Sequence, residues 1–280
     1  MIGAPVYADR GEQGRIWRLE TRGGAWAVKE LLLPVAEADA VMDVRFQLGA
    51  SAAGIPLPLP RPARDGRIVQ VVTGTEIGAV TARLHQVPQA EARPAEAWFS
   101  EPVGEPAWQV LLDDARRGDA SWAGELGRRL PDLIALDALV TAPDEARLRT
   151  CHRDVITENV RRGAGGGVIV LDWENSGPAQ PERELAAILC DLAVDVAPAA
   201  ARDGYAAYRA AGGPARLTGA ADFGMAAVVQ GHLLQFYSRR ALDQAESAEN
   251  RARSRKRMDQ ILRQPVTMAR IDRLLDLITR

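Results

Sequence analysis

Two neighbouring stretches, Cys151-His-Arg-Asp-Val-Ile-Thr-Glu-Asn159 and Val168-Ile-Val-Leu-Asp-Trp-Glu174, carry the densest chemistry in this 280-residue chain. Asp154 and Asn159 stand five positions apart, and Asp172 follows thirteen positions after Asn159. Between them, Asn159–Arg162, a glycine-rich turn at Gly163–Gly167 and Val168–Asp172 read as a hairpin. All three oxygen-bearing side chains therefore fall in a loop or at the end of a short strand. Loops held by rigid elements are where reactive groups concentrate. Phosphoryl transfer calls for such a set: a carboxylate that orients or deprotonates an attacking hydroxyl, further carboxylate and amide oxygens for magnesium, and a distant lysine on the phosphates. Taken singly, each residue has a plainer reading: Asp154 as a turn residue, Asn159 as a loop residue, Asp172 as a strand end before a core tryptophan. Their joint spacing is what points to chemistry.

Working outward, the N-terminal side is β-rich. Gly14–Thr21 alternates apolar and polar residues, Arg22-Gly23-Gly24 is a turn signal, and Ala25–Leu31 follows as a second strand. Lys29 lies on that second strand. Of the 35 basic side chains only Lys29 and Lys256 are lysines, so a lysine here stands out. Residues 37–53 have helical spacing, with Val41, Val44 and Leu48 on one face. Gly54–Pro62 is too proline-rich for helix, and 67–72 reads as a short strand. From Thr75 the pattern turns helical. Helices are expected over 75–86, 107–117, 121–140, 181–196, 205–211, 222–250 and 266–278, with a loop over 89–106. The partition is a small β-containing N-lobe, residues 1–73, and a larger helical C-lobe, residues 74–280.

At this point the residues resemble a known family. His152-Arg-Asp154 with Asn159 matches the kinase catalytic loop H-R-D-x-x-x-x-N. Asp172-Trp-Glu174, followed by Gly177-Pro178 and Glu182-Arg-Glu-Leu185, is similar to the aminoglycoside phosphotransferase and choline kinase-like superfamily, where D-W-E or D-W-D stands in place of D-F-G. Ala27-Val-Lys-Glu30 resembles the lysine-bearing strand of the same fold. The resemblance implies an α+β, protein-kinase-like bilobal fold. It implies an ATP-dependent transfer (GTP being the other nucleotide choice) of the γ-phosphate to a hydroxyl of a small molecule, an antibiotic, choline or a metabolite. By the same resemblance Asp154 is the catalytic base or hydroxyl orienter, and Asn159 and Asp172 ligate Mg2+. Lys29 contacts the nucleotide phosphates, with Asp43 as its acidic helix partner and Glu37 and Asp39 as rivals. Gly11 and Gly14 bound the loop over the phosphates, and His152 braces the catalytic loop.

Two departures from the pattern stand out. Only Thr73-Gly74 separate the strand ending at Val72 from the next helix, so the hinge that bonds adenine is shortened or supplied by Val69–Gly74. That compression motivates the competing expectation, a kinase-like binding or regulatory protein with weak or absent catalysis. Arg153 stands where aminoglycoside phosphotransferases often carry glycine. On the acceptor side, Asp113, Asp114, Asp119, Glu174 and Glu184 are candidates for gripping a cationic substrate. Trp98, Trp108 and Trp122 read as packing residues, with Trp98 to Trp108 as an alternative border of a substrate cleft. His85 is expected to be packed or capping, and His232 to sit on a core helix.

Composition excludes several alternatives. A net charge of −2 and a pI near 6.0 argue against bulk nucleic-acid binding. The basic run Arg251–Arg257 reads as a solvated helix face. Two cysteines are too few for a disulfide framework. The sequence holds no apolar stretch of membrane-spanning length and shows no secretory signal, so no membrane partner and a cytoplasmic setting are expected.

Overall fold

A computed structural model of the protein describes residues 6–10, 14–31, 37–53, 59–62, 66, 72–87, 94–162 and 167–279. In chain order the elements are β1 (Val6–Arg10), β2 (Gly14–Thr21), β3 (Gly24–Leu31), α1 (Glu37–Ala52), α2 (Gly74–His85), α3 (Ala97–Ser100), α4 (Glu105–Arg117), α5 (Ala123–Asp137), β4 (Arg149–Cys151), β5 (Val160–Arg162), β6 (Val168–Val170), β7 (Gly177–Ala179), α6 (Pro181–Asp195), α7 (Pro198–Ala210), α8 (Gly224–Leu242), α9 (Ala248–Arg263) and α10 (Met268–Thr279). They fall into two compact units, Met1–Thr73 with Thr157–Leu171, and Gly74–Ile156 with Asp172–Arg280.

In the first unit β1, β2 and β3 form an antiparallel sheet in that order. The expected hairpin is present, with Ile16 opposite Lys29 and Thr21 opposite Gly24. Gly24 takes φ +114°, a conformation open to glycine, and Thr21 Oγ1 donates to its carbonyl at 2.8 Å, closing the turn. β5 and β6 pair as the second expected hairpin, Val160 opposite Val170. On α1, Val41 and Val44 are half-buried while Leu48 is exposed. Gly11, expected in a phosphate-covering loop, and residues 67–71 of the expected strand over 67–72, including positions 69–71 of the expected hinge, lie outside the described residues.

The second unit is helical. α4, α5, α8 and α9 enclose a core of Trp108, Leu111, Leu112, Leu126, Leu130, Leu234, Met258 and Leu262. Trp108 is fully buried, as is Trp122; truncating a buried Trp to Ala costs about 3–5 kcal/mol. The Asp137 carboxylate accepts from Gly104 N at 2.8 Å and from Trp108 Nε1 at 2.7 Å, joining the end of α5 to the start of α4. α2 lies on α7 at near backbone contact. A Cβ on Gly78 would come within 1.9 Å of Gly204 O, and one on Gly74 within 2.1 Å of Ala200 O.

The sequence-based boundaries need four corrections. The expected loop over 89–106 holds α3, and α4 starts at Glu105, with Pro106 in its first turn. α7 starts at Pro198 rather than Tyr205, again with proline in the first turn. The single helix expected over 222–250 is two. Asp243 Oδ1 accepts from Ala245 N at 2.8 Å, and Ser247 Oγ caps α9 by accepting from Asn250 N at 3.1 Å. Such local side-chain bonds compete with the helical ladder and break it. Finally, β4 and β7 pair antiparallel, Cys151 opposite Gly177. No local turn joins these two strands, so nothing in the sequence marks their pairing, whereas the equally short β5 and β6 are marked by the glycine-rich turn between them.

Candidate active site

The β4–β7 pairing builds the site in the second unit. It sets residues 152–154, which follow β4, beside the turn of 172–176, which precedes β7. Asp154 is half-buried and accepts from Asn175 Nδ2 at 3.1 Å. Asp172 opens that turn in the left-handed conformation, φ +65° and ψ +64°, at the head of a single helical turn, Trp173–Asn175. Its side chain is exposed and does not cap the turn. Asp154 and the Asp172 turn are thus joined through one amide.

His152 is buried and packs edge-to-face on Trp173, ring centroids 4.7 Å apart. Among the described residues neither ring nitrogen has a hydrogen-bond partner, and the contact with Trp173 holds the ring. Arg153, at φ +64°, is also buried. Its backbone N–H donates to Glu184 Oε1, its Nε to Asn175 O at 2.6 Å, and its Nη2 to Glu96 Oε1 at 2.9 Å.

Beneath the loop lies a buried polar chain. His85 Nε2 meets Glu184 Oε2 at 2.7 Å, and His85 Nδ1 meets the Tyr208 hydroxyl at 2.8 Å. That hydroxyl also accepts from Ala215 N at 3.0 Å. Burial raises the Glu184 pKa, but bonds from His85 and the Arg153 N–H, with the charge of His85, outweigh it, and the carboxyl sits below its ordinary value. Burial pushes the Tyr208 hydroxyl up to about 12 and the Cys151 thiol well above its ordinary range. Cys151 is close to His85 and Glu184. A protonated thiol, with His85 and Glu184 bonded to each other, makes this a hydrogen-bond hub rather than a ligand set.

The other sequence-based candidates lie in the first unit. Asn159 closes the single turn Thr157–Asn159, and its carbonyl accepts from Leu171 N at 2.8 Å. Lys29 is exposed on β3, Gly14 begins β2, and Asp43 lies on α1 with Glu37 and Asp39. The side-chain pairing of Asp43, Glu37 or Asp39 with Lys29 falls outside the described residues.

One expectation for the second unit is corrected. Glu184 is fully buried under the loop of residues 152–154 and is no substrate-gripping carboxylate. His232 sits on α8, a core helix as expected, and is itself half-buried: its ring stacks on Trp98 at 5.1 Å, and its Nε2 meets Glu101 O at 3.0 Å. Those two rings line a hollow of about 550 Å³ with Phe236, Arg239, Arg240 and Asp243. Asp113 and Asp114 pair with Arg116 and Arg117 on the exposed side of α4. Sequence reasoning missed Asn175, Glu96 and Tyr208. Asn175 had a faint signal in its place three residues after Asp172; the other two had none.

The model of the APH phosphotransferase enzyme family matches residues 52–220, which contain Asp154, Asn159 and Asp172. The chain belongs to this family. It is accordingly a phosphotransferase with the α+β, protein-kinase-like fold that the sequence resemblance implied. Lys29, Asp43, Gly11 and Gly14 precede the matched segment. No curated protein matches the chain. Among solved structures it is similar to spectinomycin phosphotransferase APH(9)-Ia in complex with ADP and spectinomycin, at 12% identity, 92% of this chain, 88% of that one and a TM-score of 0.47. A choline/ethanolamine kinase family protein from Mesorhizobium loti gives 14%, 99%, 92% and 0.41. Macrolide 2'-phosphotransferase MphH from Brachybacterium faecium gives 19%, 91%, 91% and 0.41. Among the described residues of this family member, no helix is long and apolar enough to cross a membrane.

Proposed function

We propose that this phosphotransferase moves the γ-phosphate of ATP to a hydroxyl of a small molecule, with Asp154 as the group that orients the hydroxyl and takes its proton. The observation that carries the reading is the Asn175 bridge: it holds one oxygen of the Asp154 carboxylate and belongs to the turn that Asp172 opens. A carboxylate held in place can be aimed at an acceptor, and positioning supplies much of the acceleration in such transfers.

The donor set suits a hard divalent cation. Asp172 offers an exposed carboxylate with no hydrogen bond or ion pair among the described residues, and an Asn amide oxygen such as that of Asn159 is a second hard donor. Asp172 and Asn159 would hold Mg2+, which supplies charge neutralisation at the phosphates when bound. Residues 1–73 are assigned to the nucleotide, with Lys29 on the phosphates, Asp43 orienting Lys29, and Gly11 and Gly14 in the covering loop. Residues 74–280 are assigned to catalysis and the acceptor. The hollow beside Trp98, His232 and Phe236 is the proposed acceptor site. Its Arg239 and Arg240 offset Asp243 and Glu246, which favours a ring-bearing acceptor without high positive charge over a polycation.

A screen of aminoglycosides, macrolides, nucleosides and amino alcohols with Mg-ATP, read by the mass gain of one phosphoryl group, tests the proposal. Asp154→Asn is expected to lower transfer at least ~100-fold, within the range usual for loss of a positioned acid or base, while ATP binding persists. Equal transfer by the variant and its parent would remove Asp154 from the mechanism.

A further inference from the structure

Arg153 stands in a backbone conformation that works against it. At φ +64° the left-handed region suits glycine, and an L side chain there is strained. Among the described residues Asp119 and Asp172 are the other non-glycines with positive φ, and Asp tolerates that region better than Arg. The side chain shows what offsets the strain. It is 3% exposed, its guanidinium carbon lies 4.0 Å from the Phe99 ring centroid, and it reaches Asn175 O through Nε and Glu96 through Nη2. Gly177 leaves the space it fills, since a Cβ there would fall 2.3 Å from Nη2 and 2.6 Å from the guanidinium carbon. Among the described residues Nη1 is buried with no hydrogen-bond partner, a penalty that an apolar or glycine residue would not incur. A strained and partly unsatisfied arginine is a poor choice for filling space.

The guanidinium holds Asn175 by its carbonyl, and Asn175 holds Asp154 by its side-chain amide. Glu96 and Phe99, on either side of the Trp98 position of α3, hold the guanidinium in turn. We infer that Arg153 is a positioning residue: it locks Asn175 so that the Asp154 carboxylate is fixed for the transfer step, and it fastens α3, which carries Trp98, to the catalytic loop. The inference rests on the role proposed above for Asp154. A displaced carboxylate lowers the rate of transfer, whereas nucleotide affinity does not depend on this bracket.

The test measures Mg-ATP turnover with water as acceptor, together with the thermal midpoint, for the parent, Arg153→Gly, Arg153→Lys, Glu96→Gln and the Asp154→Asn control. Arg153→Gly is expected to lower kcat about 10- to 100-fold, with KM for ATP and the thermal midpoint close to the parent, because glycine relaxes the backbone at this position. Arg153→Lys is expected to stay low, since one ammonium cannot reproduce the planar fork to Asn175 and Glu96. Glu96→Gln, at the outer end of the bracket, is expected to lower kcat less, with stability unchanged. Parental kcat in Arg153→Gly or in Arg153→Lys overturns the inference. So does a fall in Arg153→Gly that merely tracks a collapsed midpoint while Glu96→Gln keeps parental kcat. A parent no faster than Asp154→Asn overturns the proposed function and this inference together; turnover lost in Asp154→Asn but kept in Arg153→Gly overturns the inference alone.

Discussion

At Glu184 two opposing effects meet. Complete burial favours the neutral acid, and the His85 and Arg153 N–H bonds favour the carboxylate; the carboxylate prevails. A lowered native pKa means that the unfolded state binds the proton more readily. The group's stabilising contribution is therefore full above the unfolded value, about 4.3, and is lost as pH falls through the native one. Chemical denaturation at pH 7 and near pH 3 should show this loss in the parent and a flatter pH dependence in Glu184→Gln. At pH 7 that variant is expected to be about 2 kcal/mol less stable, the range for a lost charge-assisted bond. A second residue-scale prediction concerns Gly177. Gly177→Ala drives a methyl into the Arg153 guanidinium and should cost about 1–3 kcal/mol, the usual penalty of overpacking. In the Arg153→Gly background the same change should cost much less. A double-mutant cycle by thermal denaturation reads that coupling; additive costs would show that the two side chains do not compete for the space.

Among the elements, the α2–α7 contact and the α8–α9 break carry the clearest consequences. Helices whose backbones approach as closely as Gly78 and Gly204 cannot admit a Cβ at the crossing. Gly78→Ala must part them, since the obstacle is a backbone carbonyl rather than a flexible side chain. A loss of about 3 kcal/mol or more is expected by urea denaturation, at the upper end for overpacking. Because His85 ends α2 and Tyr208 lies on α7, parting the helices should also weaken the polar chain under the loop of residues 152–154. Ser247→Ala removes the cap of α9 and should cost about 1 kcal/mol with phosphotransfer unchanged, which makes it a control for stability effects alone.

For the whole molecule, ligand linkage offers the broadest test of the proposed function. A nucleotide that binds only the folded state stabilises it by about 2.7 kcal/mol at a hundredfold excess over Kd. Mg-ATP is expected to raise the thermal midpoint by several degrees, and chelation with EDTA to remove most of that gain. Asp172→Asn should reduce the magnesium-dependent part while leaving the nucleotide-only part. An equal shift in parent and variant would take Asp172 out of the metal set.

The amino-acid sequence by itself determined the family resemblance and the order of the candidate site residues: Lys29, then His152-Arg-Asp154 with Asn159, then Asp172. It also determined the β2–β3 hairpin, by alternation and a glycine turn, the β5–β6 hairpin, by the glycine-rich turn between its strands, and the α2 helix, by apolar spacing along one face. These signals are local, so chain order preserves them. Only the tertiary structure decided which distant groups hold the loop of residues 152–154. Glu96 reaches Arg153 across 57 positions and His85 reaches Glu184 across 99, and no local pattern marks either pair. It also decided that Arg153 tolerates a left-handed backbone and that Gly177, Gly78 and Gly204 stand at close contacts. Those outcomes follow from steric room and from the satisfaction of buried polar groups, which depend on what packs nearby rather than on what precedes or follows in the chain.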